Sequence, residues 1–196
     1  MKPIIGIISR KYLSDTNKKI DIVYKDIYSS IIKSGGIPIG IPNEVNIEDY
    51  LSICNGIILQ GGDNIEKFNL ETIKILKEKQ IPTLGICLGM QEMFYENNDI
   101  DIDNHKNTTH IINIKQNTLL NKIIRKDQIL VNSRHKSALN NSQYLISSIS
   151  LDNITESLED PTLKFFLGLQ WHPENIYDNS PHAKAIFDYF IKICHN

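Results

Sequence analysis

The chain has 196 residues, a length that suits one domain with its own core, and 1–196 is read as a single unit. Hydrophobic residues at 41% and charged residues at 22% are the composition of a folded globular protein, which excludes a disordered or low-complexity chain. A formal net charge of −2 leaves no basic surplus for nucleic acid and no acidic excess for a solvating tail.

The first apolar run, Ile4 to Ile8, is broken by Gly6 and followed by charge, so neither a secretory leader nor a membrane span is expected. Cys54, Cys87 and Cys194 lie far apart, an odd number without metal-type spacing. No disulfide framework and no metal site are expected, and the setting they suggest is a reducing cytoplasm.

Short apolar runs alternate with amphipathic segments, the pattern of an α/β protein with a largely parallel sheet. Ile4–Ile8 hardly alternates and reads as a first strand buried on both faces. From Ile22 to Ser34, Val23, Ile27 and Ile31 recur every four positions, as on one helix face, and Gly35-Gly36 supplies the stop. Pro38–Ile41 and Gly56–Leu59 read as strands, and Leu70–Lys79 as a helix with Leu70, Ile73 and Leu76 inward. Thr83–Ile86 reads as a strand that runs straight into the helical spacing of Leu88–Tyr95.

Glu96–Asn107 shows the least pattern. Thr109–Ile114, Gln128–Val131, Tyr144–Ser150 and Lys164–Leu169 are strand-like between polar turns, and read as antiparallel additions and returns to the main sheet. In the last helix Ser180 is the expected N-cap and Pro181 the first helical residue, with Phe187, Phe190, Ile191 and Cys194 on one face.

Strand, then Gly85-Ile86-Cys87-Leu88-Gly89, then helix is the cysteine form of a nucleophile elbow. A nucleophile on so tight a turn sits in strained backbone, and the glycines leave room for it. The helix start aims free N–H groups at the sulfur, which favours the thiolate and offers an oxyanion donor from Leu88. A small buried cysteine between glycines would look the same, so the elbow needs partners. A thiolate requires a base and a group to orient that base. Gln170-Trp171-His172-Pro173-Glu174 follows a strand and sets a histidine and a carboxylate two residues apart. Gln60-Gly61-Gly62-Asp63-Asn64 ends another strand, where glycine lets backbone N–H groups approach a ligand closely.

These runs resemble the class I glutamine amidotransferase-like superfamily, and within it the γ-glutamyl hydrolases of the peptidase C26 family, including those acting on γ-glutamyl-γ-aminobutyrate. The resemblance extends over Lys2–Ile7, Gly35–Pro38, Leu59–Gly62, Gly85–Glu92, Val131-Asn132-Ser133-Arg134-His135 and Phe166–Glu174. It implies a flavodoxin-like sandwich, a mostly parallel central sheet flanked by helices with an antiparallel extension. It also implies Cys87, His172 and Glu174 as the triad and Gly62 with Leu88 as the oxyanion hole. Gly61, Gln91, Ser133 and His135 become substrate-binding residues, and Glu156 a structural glutamate. The expected activity is cleavage of a γ-glutamyl amide through a glutamyl-thioester, with a small-molecule substrate and no cofactor.

The chain departs from the family pattern beside the pocket. Asp63-Asn64-Ile65 and Lys67 stand where a proline-containing run is usual, the loop before the Leu70 helix is short, and Leu88 replaces the usual arginine. Leu88 resembles the glutaminase version, so a subunit feeding ammonia to a synthase is an alternative, as is a hydrolase of a γ-glutamyl nucleotide phosphoramidate. A homodimer and a synthase partner both stay open. Cys54 and Cys194 are expected in the core, and His105, His110, His182 and His195 at the surface or in turns. Tyr12 and Tyr24 are candidates to face the pocket.

Overall fold

The structure is a computed structural model that describes residues 1–95, 99–139 and 143–195. The low-pattern stretch Glu96–Asn107 therefore lies partly outside the described residues. The chain opens with β1 (Ile4–Ile8), a hairpin of β2 (Arg10–Leu13) and β3 (Lys19–Ile22), α1 (Lys25–Lys33), β4 (Ile37–Ile41), α2 (Ile47–Leu51) and β5 (Gly56–Leu59). Next come α3 (Lys67–Glu78), β6 (Thr83–Ile86), α4 (Leu88–Met93), β7 (Asp99–Asp101), β8 (Thr108–Ile114) and α5 (Leu119–Ile124). The chain continues through β9 (Gln128–Ser133), β10 (Ser137–Leu139), β11 (Leu145–Ser150), β12 (Thr155–Glu159) and β13 (Phe166–Leu169). A 3-10 segment, Pro173–Asn179, leads into α6 (Pro181–His195).

One sheet organises the described residues, in the order β4-β1-β5-β6-β13-β12-β11-β8-β9. From β4 to β13 neighbouring strands are parallel, and from β13 to β9 they are antiparallel. It is the α/β arrangement expected, a parallel half with helices on its faces and an antiparallel extension. The strand period of two divides the core. Ile58 joins Ile27, Ile31, Phe187 and Phe190 in one buried cluster, while its neighbours Ile57 and Leu59 join Ile73, Leu76 and Met90 in the other. Full burial of each such side chain contributes roughly 1.5–3 kcal/mol. Gly35 ends α1 at φ +94°, the left-handed conformation that glycine takes most cheaply. Ala183 N–H donates to Ser180 Oγ at 3.3 Å, as an N-cap serine predicts. Among the described residues no helix is long and apolar enough to cross a membrane.

The differences from expectation have local causes. The first helix begins at Lys25 rather than Ile22, because Ile22 pairs with Arg10 in the β2–β3 hairpin. β12 is not legible in the sequence: its run Thr-Glu-Ser-Leu-Glu is polar, yet all five residues are buried between β13 and β11. Long-range partners make that burial tolerable. Ser157 Oγ meets Ser147 Oγ at 2.8 Å and Ser148 Oγ at 2.6 Å, and Glu159 accepts N–H bonds from Leu119 and Leu120. The run Lys164–Leu169, read as an antiparallel addition, becomes β13 and pairs parallel with β6 on one side and antiparallel with β12 on the other.

Candidate active site

The two inner strands β6 and β13 end side by side, with Leu169 opposite Ile86 in register. The residues that follow each of them therefore meet. Cys87 leaves β6 at φ 53°, ψ −111° and caps α4, a strained backbone for a residue with a Cβ. Its N–H donates to Leu169 O at 2.7 Å, which pins the turn to β13. The next glycine is required by space, because a Cβ on Gly89 would lie 2.0 Å from Leu59 O. α4 can thus begin directly against the end of β5.

After β13 the chain carries His172 to the same place. A Cβ added to Gly61 would come within 3.0 Å of His172 Cε1 and 3.6 Å of Cys87 Cβ, so Gly61 leaves the imidazole room beside the thiol. His172 Nδ1 faces Glu174 Oε1 at 2.7 Å; the carboxylate is buried and the imidazole is 14% exposed. Proline at position 173 opens the 3-10 segment and stiffens the path between them. Asn132 brackets the histidine backbone, accepting from His172 N–H at 3.2 Å and donating to His172 O at 2.9 Å. Burial works against a charged imidazole here, but Cys87 and Glu174 outweigh it and raise the His172 pKa to about 10. The other thiols differ. Burial pushes Cys54 to about 11 and Cys194 to about 12, so both remain protonated core groups.

The double-glycine turn is held from below. Arg10, buried at the start of β2, donates through Nη2 to Gln60 O at 2.6 Å and through Nε to Gly61 O at 3.2 Å. The same guanidinium forms a fork with Glu92, both N···O distances being 2.7 Å. Glu92 also accepts from Asn69 Nδ2 and from Glu66 N–H. With the Gln60 and Gly61 carbonyls engaged by Arg10, the turn is fixed in one orientation. Gly62 lies against Leu88, a Cβ there being 3.2 Å from Leu88 Cδ2.

Two clefts meet at Cys87. One, of about 340 Å³, is lined by Gly61, Gly62, Tyr24, Asp26, His172 and Asn175 among others. The second, of about 210 Å³, is lined by Leu88, Gln91, His135, Lys136 and Ser137. Arg134 and Asp63 border both. A larger groove of about 550 Å³ runs along the β2–β3 hairpin and contains Tyr12, but its lining includes neither Cys87 nor His172. Of the two tyrosines only Tyr24 faces the site.

Some expected binding residues are otherwise engaged. Gln91 lines the second cleft, but its amide donates to Ser137 O at 2.9 Å and to Gln170 Oε1 at 3.1 Å. Ser133 is turned away from both clefts. Its Oγ donates to His105 O at 2.5 Å and it lines neither cleft, since β9 turns that residue inward. His135 reaches the second cleft, yet its ring nitrogens face Ser137 O, His105 and Glu156. Of the histidines expected at the surface or in turns, His105 lies in a turn but is 3% exposed, and His110 lies in β8; both gather around the fully buried Glu156. Sequence reasoning misses Arg10, Glu92, Asn132 and Gln170 as positioning residues. The signal for Glu92 and Gln170 was their place inside the two motif runs; Arg10 had none beyond being a charge just after an apolar strand.

Comparison with known proteins bears on this geometry. A protein-family model described as Peptidase C26 matches residues 3–70 and 66–174. A glutamine amidotransferase-like protein of Rickettsia prowazekii is 30% identical, with 76% of this chain and 81% of that protein covered. CTP synthase of Mycoplasma mycoides is 28% identical over 76% of this chain, which spans only 36% of that enzyme. Among solved structures, a GMP synthase subunit from Thermoplasma acidophilum superposes with a TM-score of 0.77 at 17% identity, covering 98% of this chain and 94% of the other. The glutaminase domain of Trypanosoma brucei CTPS with bound acivicin gives a TM-score of 0.72 at 18% identity, with 98% and 94% covered. These structural likenesses speak for the fold alone.

Proposed function

Because the chain belongs to the peptidase C26 family, we propose that it is a cysteine-dependent hydrolase of a γ-glutamyl amide. The observation that carries this reading is the meeting of a strained elbow cysteine with the His172–Glu174 pair at the junction of two clefts. The Cys87 thiolate attacks the γ-carbonyl carbon, and the N–H groups of Gly62 and Leu88 stabilise the tetrahedral oxyanion. His172, kept protonated by Cys87 and Glu174, gives its proton to the amine as the C–N bond breaks. The glutamyl group is left as a thioester on Cys87. His172, now neutral, takes a proton from water, whose attack releases glutamate and restores the thiolate. Every group needed for these steps is on this chain, and no cofactor enters them.

The clefts suggest which side of the substrate lies where. Arg134, with Gln91 and Ser137, suits the carboxylate and polar atoms of the glutamyl portion. Tyr24, Asp26 and Asn175 then border the amine. The test is product analysis of the purified chain with glutamine and a panel of γ-glutamyl amines. Release of glutamate and amine, abolished in Cys87→Ala, is expected; full hydrolysis by that variant contradicts the reading.

A second reading, a glutaminase delivering ammonia to a synthase, is favoured by Leu88 and by relatives named CTP synthase. It predicts glutamine as the sole good substrate and a strong rise in rate with an added partner.

A further inference from the structure

Glu156 sits in β12 at 0% exposure, and neither of its carboxylate oxygens has a hydrogen-bond partner. Three imidazoles nevertheless converge on it. His110 Nε2 lies 3.0 Å from Glu156 Oε1, His105 Nδ1 3.1 Å and His135 Nε2 3.5 Å. His105 Nδ1 and His135 Nε2 are themselves 3.1 Å apart.

The outer nitrogens fix what the inner ones can offer. His105 Nε2 faces both oxygens of Asp152 at 3.0 and 3.3 Å, and His135 Nδ1 faces Ser137 O at 3.1 Å. Both partners only accept, so each outer nitrogen carries the N–H and each inner nitrogen presents a lone pair. Lone pairs of His105 Nδ1, His135 Nε2 and Glu156 Oε1 then point at one another, and both nitrogens of His110 also lack a hydrogen-bond partner. With neutral rings such an arrangement repels itself, so it calls for positive charge in its middle, either a proton on an inner nitrogen or a metal ion.

The spacing suits a metal ion. Four ligands at 2.0–2.1 Å around tetrahedral zinc stand about 3.3–3.4 Å apart, and the three separations to Glu156 Oε1 and that between His105 and His135 run from 3.0 to 3.5 Å. Donor atoms of His105, His110 and Glu156 all lie within 4.8 Å of one another. His110 and His135 flank the carboxylate with ring centroids 6.4 Å apart, so a shared ion would draw these two rings together. Asp152 behind His105 and the Ser137 carbonyl behind His135 are the outer partners that orient metal-bound histidines.

We propose that His105, His110, Glu156 and His135 form a binding site for a divalent transition cation of the zinc class. The four ligands come from the segment before β8, from β8 itself, from β12 and from the turn after β9. A bound ion would cross-link these pieces behind the cleft wall formed by Arg134, His135, Lys136 and Ser137. Its role is structural, and it holds whatever substrate Cys87 acts on.

The test uses the full chain with Cys87→Ser, so that the active-site thiol cannot capture metal. The protein is loaded with Zn²⁺, desalted and assayed for metal, and in parallel titrated with Co²⁺ and followed by visible absorption and thermal melting. One retained zinc per chain, a tetrahedral-type cobalt spectrum and a rise in Tm are expected. His105→Ala and His110→Ala lose all three, and Asp152→Asn weakens zinc binding roughly 10–100-fold. If His105→Ala does not fold, His110→Ala decides alone, since its ring is the more exposed of the two. Failure of the Cys87→Ser protein to retain zinc, or zinc retention undiminished in His110→Ala, overturns the proposal and leaves a cluster held by protons.

Discussion

Glu92 and Glu156 are both buried carboxylates set behind the walls of the same pocket, yet their surroundings are opposite. Glu92, on α4 in the parallel half, accepts from Arg10, Asn69 and the Glu66 backbone. Glu156, on β12 in the antiparallel half, has three imidazoles near it and no hydrogen-bond partner. A buried charge is tolerated only when its lone pairs are met. The first is met by protein donors, and it fixes the glycine turn beside Cys87. The second is met only by imidazoles, whose lone pairs suit the cation proposed above.

The largest effect falls on the catalytic pair. Glu174→Gln removes the carboxylate that orients and charges His172, and kcat/KM is expected to fall roughly 10²–10⁴-fold. The pH profile adds a sign. His172 is raised to about 10, so the imidazolium that the proposed mechanism uses to protonate the leaving amine persists through neutral pH and is lost as pH rises through that value. In Glu174→Gln one of the raising partners is gone, and the alkaline limb of kcat/KM moves to lower pH. A limb that stays where it was would show that Glu174 does not charge His172.

The contrast between the two glutamates can be broken directly. Arg10→Met leaves Glu92 buried without its cation, and urea unfolding should show a loss of about 3–5 kcal/mol. Glu156→Gln in metal-free protein should cost less, because no hydrogen bond to that carboxylate is lost. Equal losses would mean that the histidines already compensate Glu156 fully.

A smaller change separates the halves. In Gly89→Ala the new Cβ meets Leu59 O, so α4 must shift and carry Glu92 with it, at roughly 1–3 kcal/mol. Zinc retention at Glu156, on the other half of the sheet, should be unaffected. Altered metal content in that variant would couple two regions that the contrast keeps apart.

The two halves also differ in how much of them the sequence reveals. Ile4–Ile8, Gly56–Leu59 and Thr83–Ile86 announce themselves because buried parallel strands are continuous apolar runs. The elbow and the His172–Glu174 pair are local motifs at strand ends, so their neighbours in sequence are their neighbours in space. β12 carries its polar residues into the core because partners from β11 and α5 satisfy them, and no local pattern signals that. The histidine cluster is hidden for the same reason. His105, His110, His135 and Glu156 come from separate segments, so their spacing along the chain resembles no metal motif, and the expectation of histidines at the surface or in turns followed from that spacing.

The central claim is that Cys87, alone among the cysteines, is the nucleophile toward a γ-glutamyl carbonyl. Intact-protein and peptide mass spectrometry after treatment with a glutamine-like diazo-ketone tests it most directly. One adduct on Cys87, suppressed by excess γ-glutamyl substrate and absent from Cys87→Ala, is the predicted result. An unlabelled Cys87, or label on Cys54 or Cys194 in its place, would contradict it.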